Sequence, residues 1–295
     1  MADASSTIVF QGEPGANSHI ACQEMYPAMR AAPCHTFEDV FASLTRGEAK
    51  YAMIPIENSV AGRVADIHHL LPASGMYIIG EHFLRVHHQL LAPRGARLEK
   101  IVAAHSHVHA LGQCRKFIRD HGLETIVAPD TAGAARQVAS QGDPTQAAIA
   151  SALAAEIYGL DILGTDIEDE AHNTTRFLIL ASEPDDADPG EGPFITSFFF
   201  RVRNLPAALY KALGGFATCG VNMTKLESYI VGGSFSAAQF YADIEGHPQD
   251  RLVRLALEEL EFFSSEMKVL GTYRASPLRA EIEAVSRNGN RLQKL

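Results

Sequence analysis

The sequence predicts an α/β protein built from two regions that differ in their order of strands and helices. Residues 1–181 alternate short apolar segments with helical patterns, which is typical of parallel strands covered by helices. Residues 182–193 are rich in Asp, Glu, Pro and Gly, a composition that predicts a linker. Residues 194–276 follow the order strand, helix, strand, strand, helix, strand, which predicts a ferredoxin-like βαββαβ domain. We assign no structure to the polar tail, residues 277–295.

Composition and charge narrow the class of protein. The chain has 295 residues, 46% of them hydrophobic, which is enough for about two domains. Its formal net charge is −10, and no run of Lys and Arg matches a phosphate backbone, so we expect no nucleic-acid partner. No apolar run is long enough to span a bilayer, and the first residues lack the positive charge of a signal peptide. We therefore expect no membrane partner.

The cysteines bear on the redox compartment. All four stand far apart in the sequence, without a C-x-x-C pair: Cys22, Cys34, Cys114 and Cys219. This spacing argues against a disulfide framework, a zinc ribbon and a redox pair. We expect reduced thiols, mostly facing the core, in a cytoplasmic protein.

The first strand, Thr7–Phe10, leads into a Gly/Pro turn and a helix that begins near Ser18. A helix N-terminus after such a turn presents free N–H groups and the positive end of the helix dipole, so it can bind an anion. An ordinary turn between strand and helix explains the same residues equally well. Because the spacing is not G-x-G-x-x-G, we expect no dinucleotide cofactor.

A polar strand tip follows the next helix. Thr36, with Asp39 three residues later, predicts the start of that helix. The strand after it begins at Tyr51 and is expected to break at Pro55. Its polar end consists of Glu57, Asn58 and Ser59. An acid, an amide and a hydroxyl in succession favour a functional role over simple solubility.

Three alternating histidines, His105, His107 and His109, follow an apolar segment at residues 101–104. On one face of a strand they would suit a metal ion. The helical pattern from residue 110 onward instead predicts that the alternation breaks at a strand-to-helix turn, and no carboxylate or cysteine stands at ligand spacing. We therefore predict no metal site. We interpret the pairs His68-His69 and His87-His88 as surface residues or as supporting residues behind a site.

A second polar cluster precedes a strand instead of following one. Asn173, Thr175 and Arg176 offer an amide, a hydroxyl and a guanidinium directly before the apolar residues 177–180. Ligands of open α/β sheets bind at the carboxyl ends of strands, so this cluster would have to enter from a neighbouring segment. A strand-entry loop that satisfies local backbone groups is the alternative interpretation.

Other segments complete the predicted elements. Strands are expected at residues 124–128 and 147–150, and Asp130 is expected to cap a helix whose small residues allow close backbone approach. In the second region, Gly232-Gly233 is predicted to form the hairpin turn between the two middle strands. The strands there are predicted at 194–203, 221–231, 234–244 and 267–274, and the helices at 206–219 and 249–264.

Four motifs make the chain resemble the monofunctional prephenate dehydratases, enzymes of phenylalanine biosynthesis that carry a C-terminal ACT regulatory domain. They occur in the family's order over essentially the full length: Pro55-Ile56-Glu57-Asn58-Ser59 with Gly62; Ser106-His107 followed by Gln113-Cys114; Asp130-Thr131-Ala132-Gly133-Ala134-Ala135; and Asn173-Thr174-Thr175-Arg176-Phe177. The resemblance implies a catalytic region of two α/β lobes, similar to periplasmic binding proteins, with the active site in the cleft between the lobes. No chorismate mutase segment precedes Thr7, so we expect the monofunctional form.

The resemblance also implies which residues form the site. Thr175 would be the central catalytic hydroxyl, and Arg176 a partner of a substrate carboxylate or an organiser of the site. The resemblance places Ser106 in the lining of the cleft, and we hypothesise from the chemistry that Asn173 and Ser106 complete a set of donors around the departing oxygen. The remaining residues expected to line the substrate-binding site are Glu57, Asn58, Ser59, Gln113 and Phe177.

The reaction that this family performs explains the residue types. Prephenate loses its ring carboxylate as CO2 and its ring hydroxyl as water, and aromatisation supplies the driving force. Threonine is far too weak an acid to give up its proton outright near neutral pH. We therefore expect Thr175 to hydrogen-bond the departing oxygen and to relay a proton, without any cofactor.

The regulatory region matches the family less closely. The resemblance implies a phenylalanine pocket at a subunit interface, with Leu209, Asn222, Glu227 and Ser228 as its lining. The family has Gly-Ala-Leu and Glu-Ser-Arg-Pro where this chain has Ala207-Ala208-Leu209 and Glu227-Ser228-Tyr229-Ile230. The alanine narrows backbone approach to a bound amino acid, and the tyrosine and isoleucine change the rim. We expect L-phenylalanine as an allosteric effector of a homodimer or homotetramer.

Three other functions fit the sequence to different degrees. Arogenate dehydratase uses the same scaffold on the amino-acid analogue of prephenate. A non-catalytic amino-acid sensor could combine a binding-protein-like domain with an ACT domain, although Asn173, Thr175 and Arg176 form a richer polar set than binding alone requires. A periplasmic transport binder is disfavoured because the sequence starts without a signal peptide.

Overall fold

The structure, a computed structural model, describes residues 4–190, 192–203, 205–230 and 238–281. The strands are β1 (Thr7–Gln11), β2 (Arg30–Cys34), β3 (Tyr51–Asn58), β4 (Gly62–Arg63), β5 (Tyr77–Arg85), β6 (Gln89–Ala92), β7 (Ala103–Ser106), β8 (Glu124–Val127), β9 (Gln146–Ala150), β10 (Asp161–Gly164), β11 (Thr174–Ala181), β12 (Phe194–Val202), β13 (Met223–Ile230), β14 (Ala238–Glu245) and β15 (Ser264–Arg274). The α-helices are α1 (Asn17–Met25), α2 (Phe37–Thr45), α3 (Ala65–Ala73), α4 (Val108–Gln113), α5 (Arg115–Asp120), α6 (Thr131–Gln141), α7 (Ala152–Tyr158), α8 (Ala208–Cys219) and α9 (Arg251–Phe263). Within the described ranges, every helix is too short or too polar to cross a membrane.

The chain divides into two compact units that are interleaved along the sequence. The first unit contains the residues before Ala65 together with Phe83–Phe177, and the second contains Ala65–His82 and the residues from Leu178 onward. The contiguous domain boundaries expected from the sequence stay a prediction.

The strands β1 to β11 form the sheets of two α/β lobes, which confirms the predicted architecture of this region. In the first lobe, β1 pairs in parallel with β2 and β3, and the sheet continues in the order β2-β1-β3-β11-β5. In the second lobe the order is β10-β6-β9-β7-β8, with β7 parallel to β8 and β9. The strand β6 pairs antiparallel with β9 and β10. In the first sheet β4 pairs antiparallel with β3, so both sheets are mixed, and the parallel pairs lie in one half of each sheet.

Local sequence signals set two helix starts in this unit. The Thr36 hydroxyl accepts from the Asp39 N–H while the Asp39 carboxylate accepts from the Thr36 N–H, which is the predicted capping box. Asp130 caps α6 by accepting from the Gly133 N–H at 2.6 Å. A Cβ atom at residue 133 would lie 2.6 Å from Asp130 Oδ2, so this tight cap requires glycine.

Two strand predictions differ from the structure. The expected break at Pro55 is wrong, because β3 runs without interruption from Tyr51 to Asn58. Proline removes only one backbone donor, and its fixed φ is compatible with an extended chain. The strands β2 and β10 were not predicted, because their short sequences lack the alternating β-branched residues that are typical of a strand.

The second unit confirms the predicted βαββαβ order. Its sheet has the order β13-β14-β12-β15, and all three pairings are antiparallel. One face of the sheet packs on α8 and α9 through a buried core that includes Phe198, Phe200, Phe216, Leu257 and Leu260. Burial of each such side chain contributes about 1.5–3 kcal/mol to stability. The predicted hairpin turn at Gly232-Gly233 and most of the tail lie outside the described residues.

Ala207, where the family that the chain resembles has glycine, adopts a backbone conformation that favours glycine. Its φ of +59° and ψ of +19° place it in the left-handed region, directly before α8. An L-residue is disfavoured there because its Cβ approaches the backbone. We expect Ala207→Gly to raise the free energy of unfolding by about 1 kcal/mol in urea denaturation.

The matched control is Ala217→Gly, at an exposed position inside α8. There glycine should lower the free energy of unfolding by up to about 1 kcal/mol, since it gains backbone freedom in the unfolded chain. Equal destabilisation by both variants would contradict the conformational argument.

Candidate active site

The polar end of β3 and the polar start of β11 meet at one edge of the first sheet. Asn58 Nδ2 lies 2.8 Å from Asn173 Oδ1 and 2.9 Å from Thr175 Oγ1. The Ser59 N–H donates to the Thr174 carbonyl at 2.9 Å. Successive partners thus run in opposite directions along the two strands, as in an antiparallel pair. Antiparallel pairing explains how a cluster that precedes a strand joins a polar tip that follows one.

Arg176 and Glu57 form a supporting ion pair. Arg176 Nη1 lies 3.0 Å from Glu57 Oε1, and the side chains are 3% and 34% exposed. Successive side chains of a strand point to opposite faces, so this pair lies on the opposite face of the sheet from Thr175 and Asn58. A buried guanidinium needs such a partner. The geometry therefore favours Arg176 as an organiser of the site over a direct partner of a substrate carboxylate.

The second lobe contributes Gln113 to the network, and the connection before β6 contributes His88. Gln113 Oε1 lies 2.8 Å from Asn173 Nδ2 and 2.8 Å from His88 Nε2. His88 is buried, with only 4% of its surface exposed. The sequence left His88 between a surface and a supporting role, and the structure places it behind the site. No local signal identifies it, because its contact depends on α4 bringing Gln113 beside it.

The network lies where the two lobes are connected. Residues 86–88 and 165–173 are the segments that cross between the two sheets, and they bond to each other. The Val86 N–H donates to the Asn173 carbonyl at 2.8 Å, and the Ile167 N–H donates to the His88 carbonyl at 2.9 Å. Glu168 Oε2 accepts from the His88 N–H at 2.9 Å. The side chains of the site are thus anchored on the connections between the lobes.

Three predicted site residues lie apart from this network. Ser106 is fully buried, and its hydroxyl donates to the Ile149 carbonyl at 2.6 Å. The Ser59 hydroxyl accepts from the Thr174 N–H and donates to the His172 carbonyl, each at 3.0 Å, so it ties the end of β3 to the start of β11. Phe177 is 1% exposed and belongs to the core. Their predicted contacts with a substrate stay predictions.

The alternation of the three histidines breaks, as predicted, at the turn between β7 and α4. His105 lies in β7 with Nε2 2.7 Å from Gln146 Oε1, whereas His107 lies in the turn and its Nδ1 accepts from the His109 N–H to cap α4. The three rings therefore do not share one face. In the described part of the chain, the side chains of metal-ligand type that do converge are His87, Asp166 and Glu168. His87 Nδ1 lies 3.0 Å from Glu168 Oε1, an ordinary histidine–carboxylate contact.

Burial lowers the pKa of His88, and the neighbouring His87 acts in the same direction, against the hydrogen bond to Gln113 and the charge of Glu168. An unfolded histidine has a pKa of about 6.5. As pH falls below that value, His88 binds a proton in the unfolded chain but remains neutral in the folded protein. The contribution of His88 to stability is therefore present above pH ~6.5 and decreases as pH falls towards the lowered pKa.

Wild-type protein should lose part of its free energy of unfolding between about pH 7.5 and about pH 5.5, and we expect His88→Gln to lose less over the same range. The measurement is the free energy of unfolding in urea at several pH values, compared with wild type. His35→Gln, at an exposed histidine, serves as the matched control. Parallel pH curves for His88→Gln and wild type would show that His88 does not carry this dependence.

Two α/β lobes with a polar site at their junction, followed by a βαββαβ domain, define a periplasmic-binding-protein-like catalytic architecture with an added C-terminal domain. Residues 8–185 match the family described as Prephenate dehydratase. A bifunctional N-acyl-homoserine lactone acylase/prephenate dehydratase of Komagataeibacter europaeus is 51% identical over 272 residues, which cover 92% of this chain and 97% of that protein. Arogenate dehydratase/prephenate dehydratase 2 of Arabidopsis thaliana is 38% identical over 276 residues, 90% of this chain and 72% of that protein. The chain therefore belongs to the prephenate dehydratase family.

Solved structures agree with this membership. The structure of GqqA, described as a novel type of quorum quenching acylase, has a TM-score of 0.88 and 50% identity, over 92% of this chain and 99% of that one. The prephenate dehydratase of Arthrobacter aurescens, solved in complex with L-Phe, has a TM-score of 0.84 and 28% identity, over 97% of this chain and 99% of that one. The likeness thus spans both units of the chain.

Proposed function

We propose that the protein is a prephenate dehydratase, a carbon–oxygen lyase that forms phenylpyruvate, CO2 and water from prephenate in phenylalanine biosynthesis. The observation that carries this proposal is the setting of the Thr175 hydroxyl. Its oxygen lies 2.9 Å from the Asn58 amide nitrogen, and among the described residues no acceptor faces its own proton. A neutral donor at the lobe junction, with its oxygen held by an amide, suits the departure of an oxygen.

The proposed reaction assigns that proton a role. The bond between the ring and its carboxylate breaks, CO2 leaves, and the electron pair moves into the ring. The bond from the ring to its hydroxyl oxygen then breaks, and that oxygen takes up a proton to leave as water. Negative charge develops on the departing oxygen, so a preorganised donor stabilises the transition state more than the ground state. Thr175 supplies this donor and relays a proton that comes from solvent, so its hydroxyl is restored.

The test is phenylpyruvate formation by the purified protein from prephenate, with arogenate in parallel and phenylalanine as its product. Turnover of prephenate supports the proposal. Preference for arogenate, the substrate named for the plant relatives, would keep the mechanism and change the substrate. Inactivity of the folded protein on both would favour the non-catalytic amino-acid sensor.

A second candidate activity comes from the relative in Komagataeibacter europaeus, which is named as an acylase as well as a dehydratase. Identity of 51% over nearly the whole of both chains supports hydrolysis of N-acyl-homoserine lactones by this chain too. Release of homoserine lactone and fatty acid from such a substrate tests it. Thr175→Ala, assayed on both substrates, separates one shared site from two.

We also propose that L-phenylalanine regulates the enzyme through the βαββαβ unit, as the complex of the Arthrobacter aurescens protein suggests. Leu209 lies in the first turn of α8, whereas Asn222 lies beyond the last residue of this helix. Asn222 lines an open groove of about 790 Å³, whereas Leu209, Glu227 and Ser228 are not part of the lining of this groove. Glu227 Oε1 lies 3.5 Å from Lys225 Nζ on β13, and Ser228 follows on the same edge strand. A pocket that uses all four residues therefore fits two copies of the chain better than one.

Calorimetric titration with L-phenylalanine up to millimolar concentration tests this regulation, with activity measured over the same range. The absence of saturable binding and of any change in activity would count against it. Sedimentation with and without phenylalanine tests the homodimer or homotetramer. The cytoplasmic location also stays a prediction.

A further inference from the structure

We infer that His88 is a positioning residue whose Nε2–H tautomer holds the amides of Gln113 and Asn173 in the orientations that complete the hydrogen-bond network beside Thr175. The inference rests on the proposed function, in which the proton of the Thr175 hydroxyl goes to the departing oxygen of the substrate. His88 itself does not reach Thr175. It acts through the connected side chains of Gln113 and Asn173.

The backbone sets the direction of these hydrogen bonds at one end of the network. Asn58 Oδ1 accepts from the Val60 N–H at 2.9 Å and from the Ala61 N–H at 2.8 Å. A backbone N–H can only donate, so the atom of the Asn58 amide that accepts from both must be the oxygen, and the other must be the nitrogen. Its Nδ2 therefore gives one proton to Asn173 Oδ1 and the other to Thr175 Oγ1. Because Thr175 accepts, its own proton is turned away from Asn58.

The same rule determines the other end. Asn173 Oδ1 accepts from Asn58, so Asn173 Nδ2 donates to Gln113 Oε1. That oxygen also lies 2.8 Å from His88 Nε2, and a carboxamide oxygen can only accept. His88 must therefore carry a proton on Nε2. The Nδ1–H tautomer would instead place a nitrogen lone pair against the oxygen of Gln113.

His88 prevents a rearrangement that would break the hydrogen bonds of Gln113 and Asn173. If the Gln113 amide turned over, its NH2 group would face the N–H of His88 and the NH2 of Asn173. Asn173 would then have to turn as well and would face the donor of Asn58, which two backbone amides hold in place. The buried ring of His88 thus holds Gln113 in the orientation that the rest of the network needs. The backbone N–H of His88 is itself held by Glu168.

Two substitutions separate this role from simple packing. His88→Gln keeps an N–H donor towards Gln113, whereas His88→Leu has similar bulk and no donor. We expect His88→Leu to lower kcat about tenfold or more with little change in KM, since small misplacements of reacting groups are costly. His88→Gln should retain kcat within a few-fold, and His35→Gln, at an exposed histidine away from the network, serves as the control. Equal kcat for the glutamine and leucine variants would overturn the inference.

A spectroscopic measurement on the wild-type protein needs no variant to fold. In 15N-labelled protein, the ring nitrogens of His88 report which of them carries the proton, and we expect Nε2. An Nδ1–H tautomer would overturn the inference even in a fully active enzyme. If the protein shows the expected tautomer but does not turn over prephenate, the proposed function is wrong. The orientation inferred for the amides of the network would still hold.

Discussion

Thr175→Ala is expected to lower kcat for prephenate by roughly 10²–10⁴, with a smaller change in KM. The lost hydroxyl would be the donor that faces the departing oxygen, and its effect is largest where charge develops in the transition state. The substitution also leaves one amide proton of Asn58 without its acceptor. The measurement is the steady-state rate of phenylpyruvate formation over a range of prephenate concentrations.

Two controls make this result specific. Thr175→Ser keeps the oxygen and its proton and should retain most of the activity. Thr174→Ala removes a neighbouring hydroxyl that donates to the His172 carbonyl at 3.2 Å, and it should leave kcat close to wild type. Near-normal turnover by Thr175→Ala would remove Thr175 from the mechanism.

Asn58→Asp is expected to lower kcat by about 10²-fold or more although it preserves the shape of the side chain. The oxygen that replaces Nδ2 can only accept, and it would face Asn173 Oδ1 and Thr175 Oγ1, which both accept in the native network. Thr175 would turn its proton to the new carboxylate, so the departing oxygen would lose its donor. The added negative charge also repels a dianionic substrate, so KM should rise.

The test is kcat and KM of Asn58→Asp over a range of pH. A protonated aspartic acid can donate one hydrogen bond, so the activity relative to wild type should recover in part as pH falls towards the ordinary carboxyl range near ~4. Gln137→Glu adds the same charge at an exposed position of the first unit and should change neither constant. Wild-type kcat for Asn58→Asp at neutral pH would show that the direction of this hydrogen bond is unimportant.

The sequence by itself determined the elements whose signals are local. The capping box of Thr36 and Asp39, the cap of Asp130 on Gly133 and the break after His105 depend on residues a few positions apart, and all three are confirmed. The βαββαβ order of the second unit and the family were also predicted correctly, because apolar periodicity and motifs can be read without knowing the pairing of strands.

Only the tertiary structure decided which polar residues meet. Asn58 and Thr175 are 117 residues apart, and their contact exists because β3 and β11 pair antiparallel at one sheet edge. The same folding turns the Ser106 hydroxyl to the Ile149 carbonyl and buries His88 against Gln113. Local propensities act over a few residues, whereas these contacts depend on how distant strands pair and how the two lobes join. The residue types of the site could therefore be read from the sequence, but the directions of its hydrogen bonds could not.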